Sequence, residues 1–209
     1  MTRPTYDQAF WEQLWNKTLH AHADKVAARP PNAQITGALE HVPSGRALDA
    51  GCGHGAETLW LATRGWEVTA VDFSASALDH GRSMAGALGS SVAERITWIE
   101  GDLATWTPPA GRFDLVVSLY VHVAGSVKTA IQRLADAVAV GGTLLMIGHR
   151  PIDPATGATT SAAGQVQVSV EDAIAVLDRE HWELRVAEER PRTVAGSGVD
   201  AIIQARRLA

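Results

Sequence analysis

The chain has 209 residues, of which 46% are hydrophobic and 20% are charged, a composition typical of a globular protein with one sizeable core. Its net charge of −5 argues against a polyanionic partner, because phosphate backbones are bound by clustered Lys and Arg. A single cysteine excludes an internal disulfide and a multi-cysteine metal site, and no apolar run reaches the ~18 residues that a membrane span needs. We therefore expect a cytoplasmic protein without a metal, nucleic-acid or membrane partner.

The first 40 residues are predicted to form a helical cap, and residues 41–209 an α/β core, so that the whole chain is one domain. One helical face of the cap is rich in aromatic side chains and comprises Phe10, Trp11, Leu14, Trp15, Thr18 and Leu19. Such a face suits either a helix packed permanently on the core or a lid over a ligand.

The stretch from Arg46 to Ala56 predicts a strand, a glycine turn and the start of a helix. Ala47 and Leu48 read as the end of a short apolar strand, and the turn residues that follow include Gly51, Gly53 and Gly55. Glycine adopts positive φ and lets a bound molecule approach the backbone. The N–H groups freed at a helix N-terminus favour an anionic ligand group.

A second motif follows at a fixed distance. Residues 66–71 alternate as a strand that ends at Asp72, about 20 residues beyond the glycines, where an acidic side chain can bind a ribose diol. The unit therefore predicts a nucleoside-binding site. Gly51, Gly53 and Ala56 also fit the G-x-G-x-x-A dinucleotide pattern, which leaves NAD(P) as an alternative ligand.

The carboxylate of Asp49, two residues before the first glycine, favours a cationic ligand. It would repel a pyrophosphate, whereas it would attract the ammonium and sulfonium groups of S-adenosylmethionine. The runs 48–55 (LDAGCGHG) and 68–74 (VTAVDFS) resemble the first and second motifs of class I S-adenosylmethionine-dependent methyltransferases. This resemblance implies S-adenosylmethionine as cofactor, contacted by the cap aromatics Trp11 and Trp15 and by the motif residues Asp49, Gly51, Cys52, Gly53, Asp72 and Phe73.

The third predicted strand, residues 96–100, is followed directly by Asp102 and Leu103. In the class that the motifs resemble, an acid with a neighbouring backbone N–H at this place contacts the adenine ring, and Phe73 would lie against the ring's face. Asp102 is equally compatible with an ordinary turn aspartate, because Asp is common in turns.

The fourth predicted strand is the apolar run 113–119, which contains Ser118, a further expected cofactor contact. Tyr120 and His122 follow it, at the end of the strand where open α/β sheets bind ligands. DNA methyltransferases carry an Asn/Asp-Pro-Pro-Tyr/Phe motif here, and its absence argues against a nucleic-acid base as the target. A helix is predicted from Val127 to Val140, ending at two glycines, and a fifth strand over 143–148 leads to His149.

The C-terminal region predicts a helix that begins after Ser169 and two strands over 182–188 and 199–205, joined by a turn at 190–198. The resulting antiparallel hairpin resembles the last two strands of class I methyltransferases. The expected fold class is a Rossmann-like doubly wound sheet, mostly parallel with a C-terminal antiparallel hairpin, with helices on both faces. The residues of the two motifs and the short length of the chain most resemble those of bacterial thiopurine- and tellurite-resistance-type methyltransferases.

This resemblance implies transfer of a methyl group to an O, S or N atom of a small molecule, by a monomer or a homodimer. A hydroxyl acceptor would need a base, and His149 and His122 are the candidates. Each histidine also suits a structural or pocket-lining role. We favour His149, since the adjacent Arg150 would keep its imidazole neutral. An NAD(P)-dependent oxidoreductase and a non-catalytic S-adenosylmethionine-binding regulator remain alternatives.

Overall fold

The computed structural model describes residues 6–153, 156–160, 164–192 and 198–209. They belong to two compact units, which we call the N-terminal unit (residues 7–106) and the C-terminal unit (residues 107–209 with residues 1–6). No helix among the described residues is both long enough and apolar enough to cross a lipid bilayer.

The N-terminal unit contains three parallel strands in the order β3-β2-β1. Its elements are α1 (Gln8–Ala27), α2 (Ala33–Ala38), β1 (Arg46–Ala50), α3 (Ala56–Thr63), β2 (Glu67–Asp72), α4 (Ala75–Leu88), α5 (Ser90–Ala93) and β3 (Ile96–Glu100). The predicted order of strand, glycine turn, helix and strand is therefore present.

The C-terminal unit contains four strands in the order β4-β5-β7-β6, with β4 and β5 parallel and β7 antiparallel to both of its neighbours. Its elements are β4 (Phe113–Leu119), α6 (Val127–Ala137), β5 (Val138–His149), α7 (Val170–Val176), β6 (Trp182–Pro191) and β7 (Val199–Arg207). The predicted fold class, a mostly parallel Rossmann-like sheet with a C-terminal antiparallel hairpin, is confirmed. Residues 193–197 of the predicted hairpin turn lie outside the described residues.

Strand β4 shows why the sequences of the parallel strands are continuous apolar runs. The successive residues Leu115, Val116 and Val117 are all fully buried. Because neighbouring side chains point to opposite faces of a strand, burial of all three requires that both faces are covered.

The prediction of a helix from Val127 to Val140 is wrong at its C-terminal end. α6 ends at Ala137, and Val138 begins β5 by pairing with Phe113. The register of this pair then shifts, and a Cβ at Gly142 would lie 3.0 Å from the Asp114 carbonyl oxygen. The glycine thus allows a close approach of two backbones within the sheet and is not a helix stop.

Two glycines of α4, the buried Gly81 and the exposed Gly86, allow a comparison of how a Cβ affects stability in a packed and in an open position. A Cβ at the buried Gly81 would lie 2.5 Å from the Trp98 ring, whereas nothing lies within 4 Å of a Cβ at the exposed Gly86. We expect Gly81→Ala to lower the free energy of unfolding by about 1–3 kcal/mol through overpacking. Gly86→Ala should raise it by about 0.5–1 kcal/mol, since alanine is the better helix former.

Urea denaturation of both variants measures these changes. Equal effects of the two substitutions would show that the Trp98 contact does not limit the space at Gly81.

Candidate active site

The glycine turn adopts the backbone that its sequence predicts. Gly51, Gly53 and Gly55 have φ values of 79°, 51° and 86°, all in the left-handed region. The N–H groups of Gly51 and Cys52 donate to the Val71 carbonyl at 2.8 and 3.0 Å, so the turn folds back onto the end of β2. We call residues 51–55 the glycine loop.

Two tryptophan rings lie directly on the glycine loop. A Cβ at Gly53 would lie 2.9 Å from the Trp15 ring of α1, and one at Gly55 would lie 2.7 Å from the Trp98 ring of β3. Trp15 therefore contacts the loop at Gly53, and its cofactor role stays a prediction. Trp98 was not identified from the sequence, where it read only as a strand residue.

Asp72 connects the end of β2 to the glycine loop. One carboxylate oxygen accepts the Gly53 N–H at 2.9 Å, and the other accepts the Ser74 N–H at 2.9 Å. Burial raises the pKa of Asp72, while these two hydrogen bonds oppose the rise. Each carboxylate oxygen has a second lone pair, so the side chain can still accept hydrogen bonds from a ribose diol.

Asp49 lies in β1 and is only 3% exposed, and its carboxyl group accepts a hydrogen bond from the Thr58 hydroxyl at 2.6 Å. Burial, followed by repulsion from Glu57, raises its pKa to about 7. The neighbouring Cys52 is also buried, and burial raises the pKa of its thiol. A cation bound at the glycine loop would favour the ionised form of Asp49.

The segments after β2 and β3 border an open groove of about 350 Å³ within the N-terminal unit. Its wall includes Phe73 at the end of β2, Glu100 at the end of β3, and Gln8 and Glu12 of α1. The sequence had suggested Phe73 as a cofactor contact, but it had not suggested Gln8, Glu12 or Glu100.

Asp102 makes the contacts of a turn residue. Its exposed carboxylate accepts the Ala104 N–H at 2.8 Å, and its carbonyl accepts the Thr105 N–H at 2.9 Å. This is the turn role that the sequence left open beside the adenine contact. Leu103 is half-buried in the same turn, and the cofactor roles of both residues stay predictions.

The aromatic face of α1 is not part of the core. Val26 is the one buried residue of this helix, all of which is described, and Leu14 is 42% exposed. The backbone leaves helical geometry at His22, with φ −149° and ψ 35°, so a kink separates the aromatic segment from the turn that Val26 anchors. The predicted helix is present, and its role as a lid stays a prediction.

Polar contacts hold the aromatic segment of α1 against the start of α4. Glu12 accepts hydrogen bonds from the Ser74 hydroxyl at 2.7 Å and from the Ser76 N–H and hydroxyl. The bonds from Ser76 and Ser74 lower the pKa of Glu12, and the helix N-terminus favours its negative charge. We call this group the Glu12 latch. The Gln8 amide adds a bond to the Phe73 carbonyl at 3.0 Å.

Two histidines near the glycine loop, His54 and His80, are half-buried. His54 lies 5.3 Å from the Trp15 ring between centroids, and burial, with Arg29 and His80 nearby, lowers its pKa to about 4. The Nε2 atoms of both rings are buried without a hydrogen-bond partner in the described part of the chain.

In the C-terminal unit, Ser118 is buried near the end of β4, and its cofactor role stays a prediction. His122 lies in the segment that follows β4. Its Nδ1 accepts the Val166 N–H at 2.9 Å, and its ring lies 4.9 Å from that of Tyr6. Burial lowers the pKa of His122, which keeps the ring neutral at pH 7.

His149 belongs to a cluster with Tyr120, Asp200 and Arg192. The His149 Nδ1 lies 2.8 Å from Asp200 Oδ1, and the Tyr120 ring stacks on the imidazole at 4.0 Å between centroids. Asp200 also accepts the Tyr120 hydroxyl at 3.1 Å and the Arg192 Nε–H at 3.1 Å. Burial acts to raise the pKa of Asp200, but the bonds from His149 and Arg192 outweigh it, and the pKa is lowered.

The cation beside His149 is not the one that the sequence suggested. Arg150 pairs with Glu189 at 2.5 Å and with Glu171 at 3.7 Å. The guanidinium that lies against the His149 ring is that of Arg192. The expectation that Arg150 tunes His149 is therefore wrong, and Asp200 and Arg192 were both missed.

Comparisons with known proteins agree with the fold and with the glycine loop. Residues 47–142 match the family model described as "Methyltransferase domain". An uncharacterized methyltransferase of Mycobacterium tuberculosis is 33% identical over 137 residues, which cover 65% of this chain and 61% of the relative. The chain thus spans about three fifths of the length of that relative.

Solved structures share the whole fold at low identity. Geranyl diphosphate C-methyltransferase from Streptomyces coelicolor, solved with Mg²⁺, geranyl diphosphate and S-adenosyl-L-homocysteine, matches with a TM-score of 0.70 at 14% identity over 100% of both chains. TehB from Haemophilus influenzae matches with a TM-score of 0.68 at 17% identity, over 94% of this chain and 66% of that one.

Parallel strands, a glycine loop and an acidic side chain at the end of β2 define a Rossmann-like nucleoside-binding protein. Within that class, residues 47–142 match a methyltransferase domain, and this range contains both motifs that resemble class I S-adenosylmethionine-dependent methyltransferases. The chain also shares the fold of solved methyltransferases. The narrower resemblance to thiopurine- and tellurite-resistance-type enzymes stays a prediction.

The buried Asp49 gives the first test of this site. A pKa raised from 3.8 to about 7 means that the folded state keeps a proton that the unfolded state releases. Stability from this group is therefore lost as pH rises from about 4 to 7, on the order of 4 kcal/mol. Asp49→Asn keeps the acceptor for Thr58 and cannot ionise. The unfolding free energy of the parent minus that of the variant should fall over this pH range, whereas a constant difference would contradict the raised pKa.

The Glu12 latch gives the second test. We expect Glu12→Gln to speed amide exchange in residues 8–21, because the carboxylate that holds Ser74 and Ser76 is lost. Gln13→Ala, at the exposed neighbouring position of the same helix, should leave that exchange unchanged. Hydrogen exchange followed by mass spectrometry makes the comparison. Equal exchange in Glu12→Gln and the parent would show that the segment is held by packing.

Proposed function

We propose that the protein transfers a methyl group from S-adenosylmethionine to an O, S or N atom of a small molecule. The observation that carries this proposal is the hydrogen-bonded arrangement of the glycine loop and Asp72, with Phe73 directly after that acid, within one unit. Close backbone approach, an acceptor for a ribose diol and an apolar wall for a base are what a nucleoside ligand requires.

The charges around the glycine loop support S-adenosylmethionine over NAD(P). The pKa values of Asp49, Glu57 and Asp72 are all raised, with burial as the largest cause. A pyrophosphate would add negative charge beside these carboxyl groups, whereas an ammonium and a sulfonium would neutralise them. The oxidoreductase alternative is correspondingly disfavoured.

The residues that hold the cofactor follow from this arrangement. Asp72 accepts hydrogen bonds from the ribose hydroxyls of S-adenosylmethionine, and Phe73 lies against its adenine ring. Asp49 supplies negative charge near the amino-acid part of the cofactor. Trp15 covers the loop at Gly53, and Trp11 lies on the same helix. Bound S-adenosylmethionine supplies a methyl group on a positively charged sulfur, and alignment of the acceptor contributes much of the rate, ~7–11 kcal/mol in well-oriented systems.

The acceptor is proposed to be a small molecule, held by a single-domain enzyme in which residues 1–40 cap the core. The acidic composition argues against a nucleic-acid target. The matching Streptomyces coelicolor enzyme, named for a small diphosphate, supports the same substrate size. His149 and His122 are the candidate bases, and no group of three or more metal-ligating side chains occurs among the described residues. The predicted cytoplasmic location and monomeric or dimeric state belong to this proposal.

Calorimetric titration with S-adenosylmethionine, S-adenosylhomocysteine and NADH tests the cofactor. The parent should bind the first two, and Asp72→Ala should weaken binding by ~1.5–3 kcal/mol through loss of charge-assisted hydrogen bonds. Asp79→Ala removes an exposed carboxylate of α4, paired with Arg82, and should leave binding unchanged.

Tighter binding of NADH would favour the oxidoreductase. Binding of S-adenosylmethionine without formation of S-adenosylhomocysteine, tested with thiols, phenols and amines, would favour the regulator.

A further inference from the structure

The contact between α1 and the glycine loop includes a histidine that carries no charge at pH 7. The Trp15 ring of α1 lies over Gly53 and beside the His54 ring, and His80 of α4 is close enough to act on the charge of His54. We propose that this contact is acid-sensitive, so that protonation of His54 releases the aromatic segment of α1, residues 8–21, from the glycine loop. The inference does not depend on the proposed function, because it concerns the protein without a ligand.

The imidazole of His54 has no acceptor for a second proton. Its Nε2 atom is buried, and no hydrogen bond reaches that atom within the described part of the chain. A neutral imidazole donates from one nitrogen and accepts at the other, whereas an imidazolium donates from both. Protonation therefore creates a buried, charged N–H group without a partner, which is a costly state for a polar group.

The charged and titratable groups around His54 oppose its protonation. They are Arg29, which follows α1, and His80 of α4, whose own Nε2 atom is also buried without a described partner. Both groups are basic, so neither can neutralise an imidazolium. Burial, the largest cause, and these two neighbours lower the pKa of His54 to about 4.

The carboxyl groups of the same unit respond to acid in the opposite direction. Burial raises the pKa values of Asp49, Glu57 and Asp72, so protonation of these groups at lower pH favours the folded state. Glu12 has a lowered pKa, so the Glu12 latch keeps its charge between pH 7 and pH 5. Release of α1 in acid is therefore assigned to His54 and not to the acids.

The backbone of α1 allows the aromatic segment to move separately. The helix leaves regular geometry at His22, and its one buried residue, Val26, lies beyond this kink. Residues 8–21 can thus leave the loop while Val26 stays in place. The His54 ring then exchanges its contact with Trp15 for water, where a histidine has a pKa of about 6.5.

The two pKa values of His54 give the direction and size of the effect. We call the state with the Trp15 contact closed and the state without it open. Between pH 6.5 and pH 4 the open state binds more protons, so the closed state is most favoured above pH 6.5 and loses this advantage as the pH falls toward 4. From pH 7 to pH 5 the equilibrium constant for opening should rise about 20-fold.

Hydrogen exchange measures the opening in the protein alone. Protection factors correct for the intrinsic pH dependence of amide exchange, and the protection factor of residues 8–21 should fall about 20-fold from pH 7 to pH 5. In His54→Phe, whose ring cannot be protonated, the fall should be largely lost. His54→Gln is neutral at every pH and should behave in the same way, so the test does not depend on how a phenylalanine packs.

Two controls separate this opening from other effects of acid. His20 is an exposed histidine of the same segment, and His20→Gln should keep the pH dependence of the parent. Strands β1 and β2 should not lose protection at pH 5. Equal protection of residues 8–21 at both pH values, an unchanged fall in both His54 variants, or a parallel loss in the two strands would overturn the proposal.

The reciprocal measurement follows the titration of His54 itself. In protein labelled with ¹⁵N-histidine, the His54 resonances are assigned by their loss in His54→Gln, and the parent should titrate well below 6.5. Trp15→Ala removes the ring beside His54 and should raise the pKa of His54 toward 6.5. A His54 that titrates near 6.5 in the parent, or that titrates identically in Trp15→Ala, would show that α1 does not control its protonation, and the proposal would fail.

Discussion

The carboxylate of Asp72 is the interaction on which the N-terminal unit depends. It accepts one N–H from the glycine loop and one from Ser74, so the end of β2, the loop and the start of α4 have a fixed geometry. Ser74 then donates to Glu12 of α1, which extends the same set of hydrogen bonds to that helix. A single acid at the end of β2 thus connects the glycine loop, α4 and α1.

Asp200 has the same role in the C-terminal unit, but its contacts come from farther along the chain. Asp72 bonds to residues within 19 positions, whereas Asp200 bonds to His149, 51 positions away, and to Tyr120, 80 positions away. Both acids lie at an end of a strand, where side chains of neighbouring strands converge. The contacts of Asp72 lie within a local sequence motif, whereas the contact of Asp200 with His149 depends on the pairing of β5 with β7.

This difference explains what the sequence could predict. Strand periodicity and the glycine–acid spacing predicted the parallel strands, the glycine turn and the methyltransferase-domain match of residues 47–142. Glu12 and Asp200 were missed because each acts across 50 or more residues, and a lone acid on a helix or at a strand start resembles a solvated one. The end of α6 was misplaced because two glycines indicate a helix stop in sequence, whereas the structure uses Gly142 for a close contact between β5 and the Asp114 backbone.

The buried carboxyl groups at the glycine loop also bear on the direction of the proposed reaction. Asp49, Glu57 and Asp72 have raised pKa values because burial disfavours their charge. A ligand with an ammonium and a sulfonium stabilises the ionised carboxylates, so its binding releases protons and is favoured as pH rises. Methyl transfer leaves a neutral sulfur, and the product retains only the ammonium. On the proposed function, Asp49 would then attract the product less strongly than the substrate, so the burial that makes a cation favourable would also favour product release.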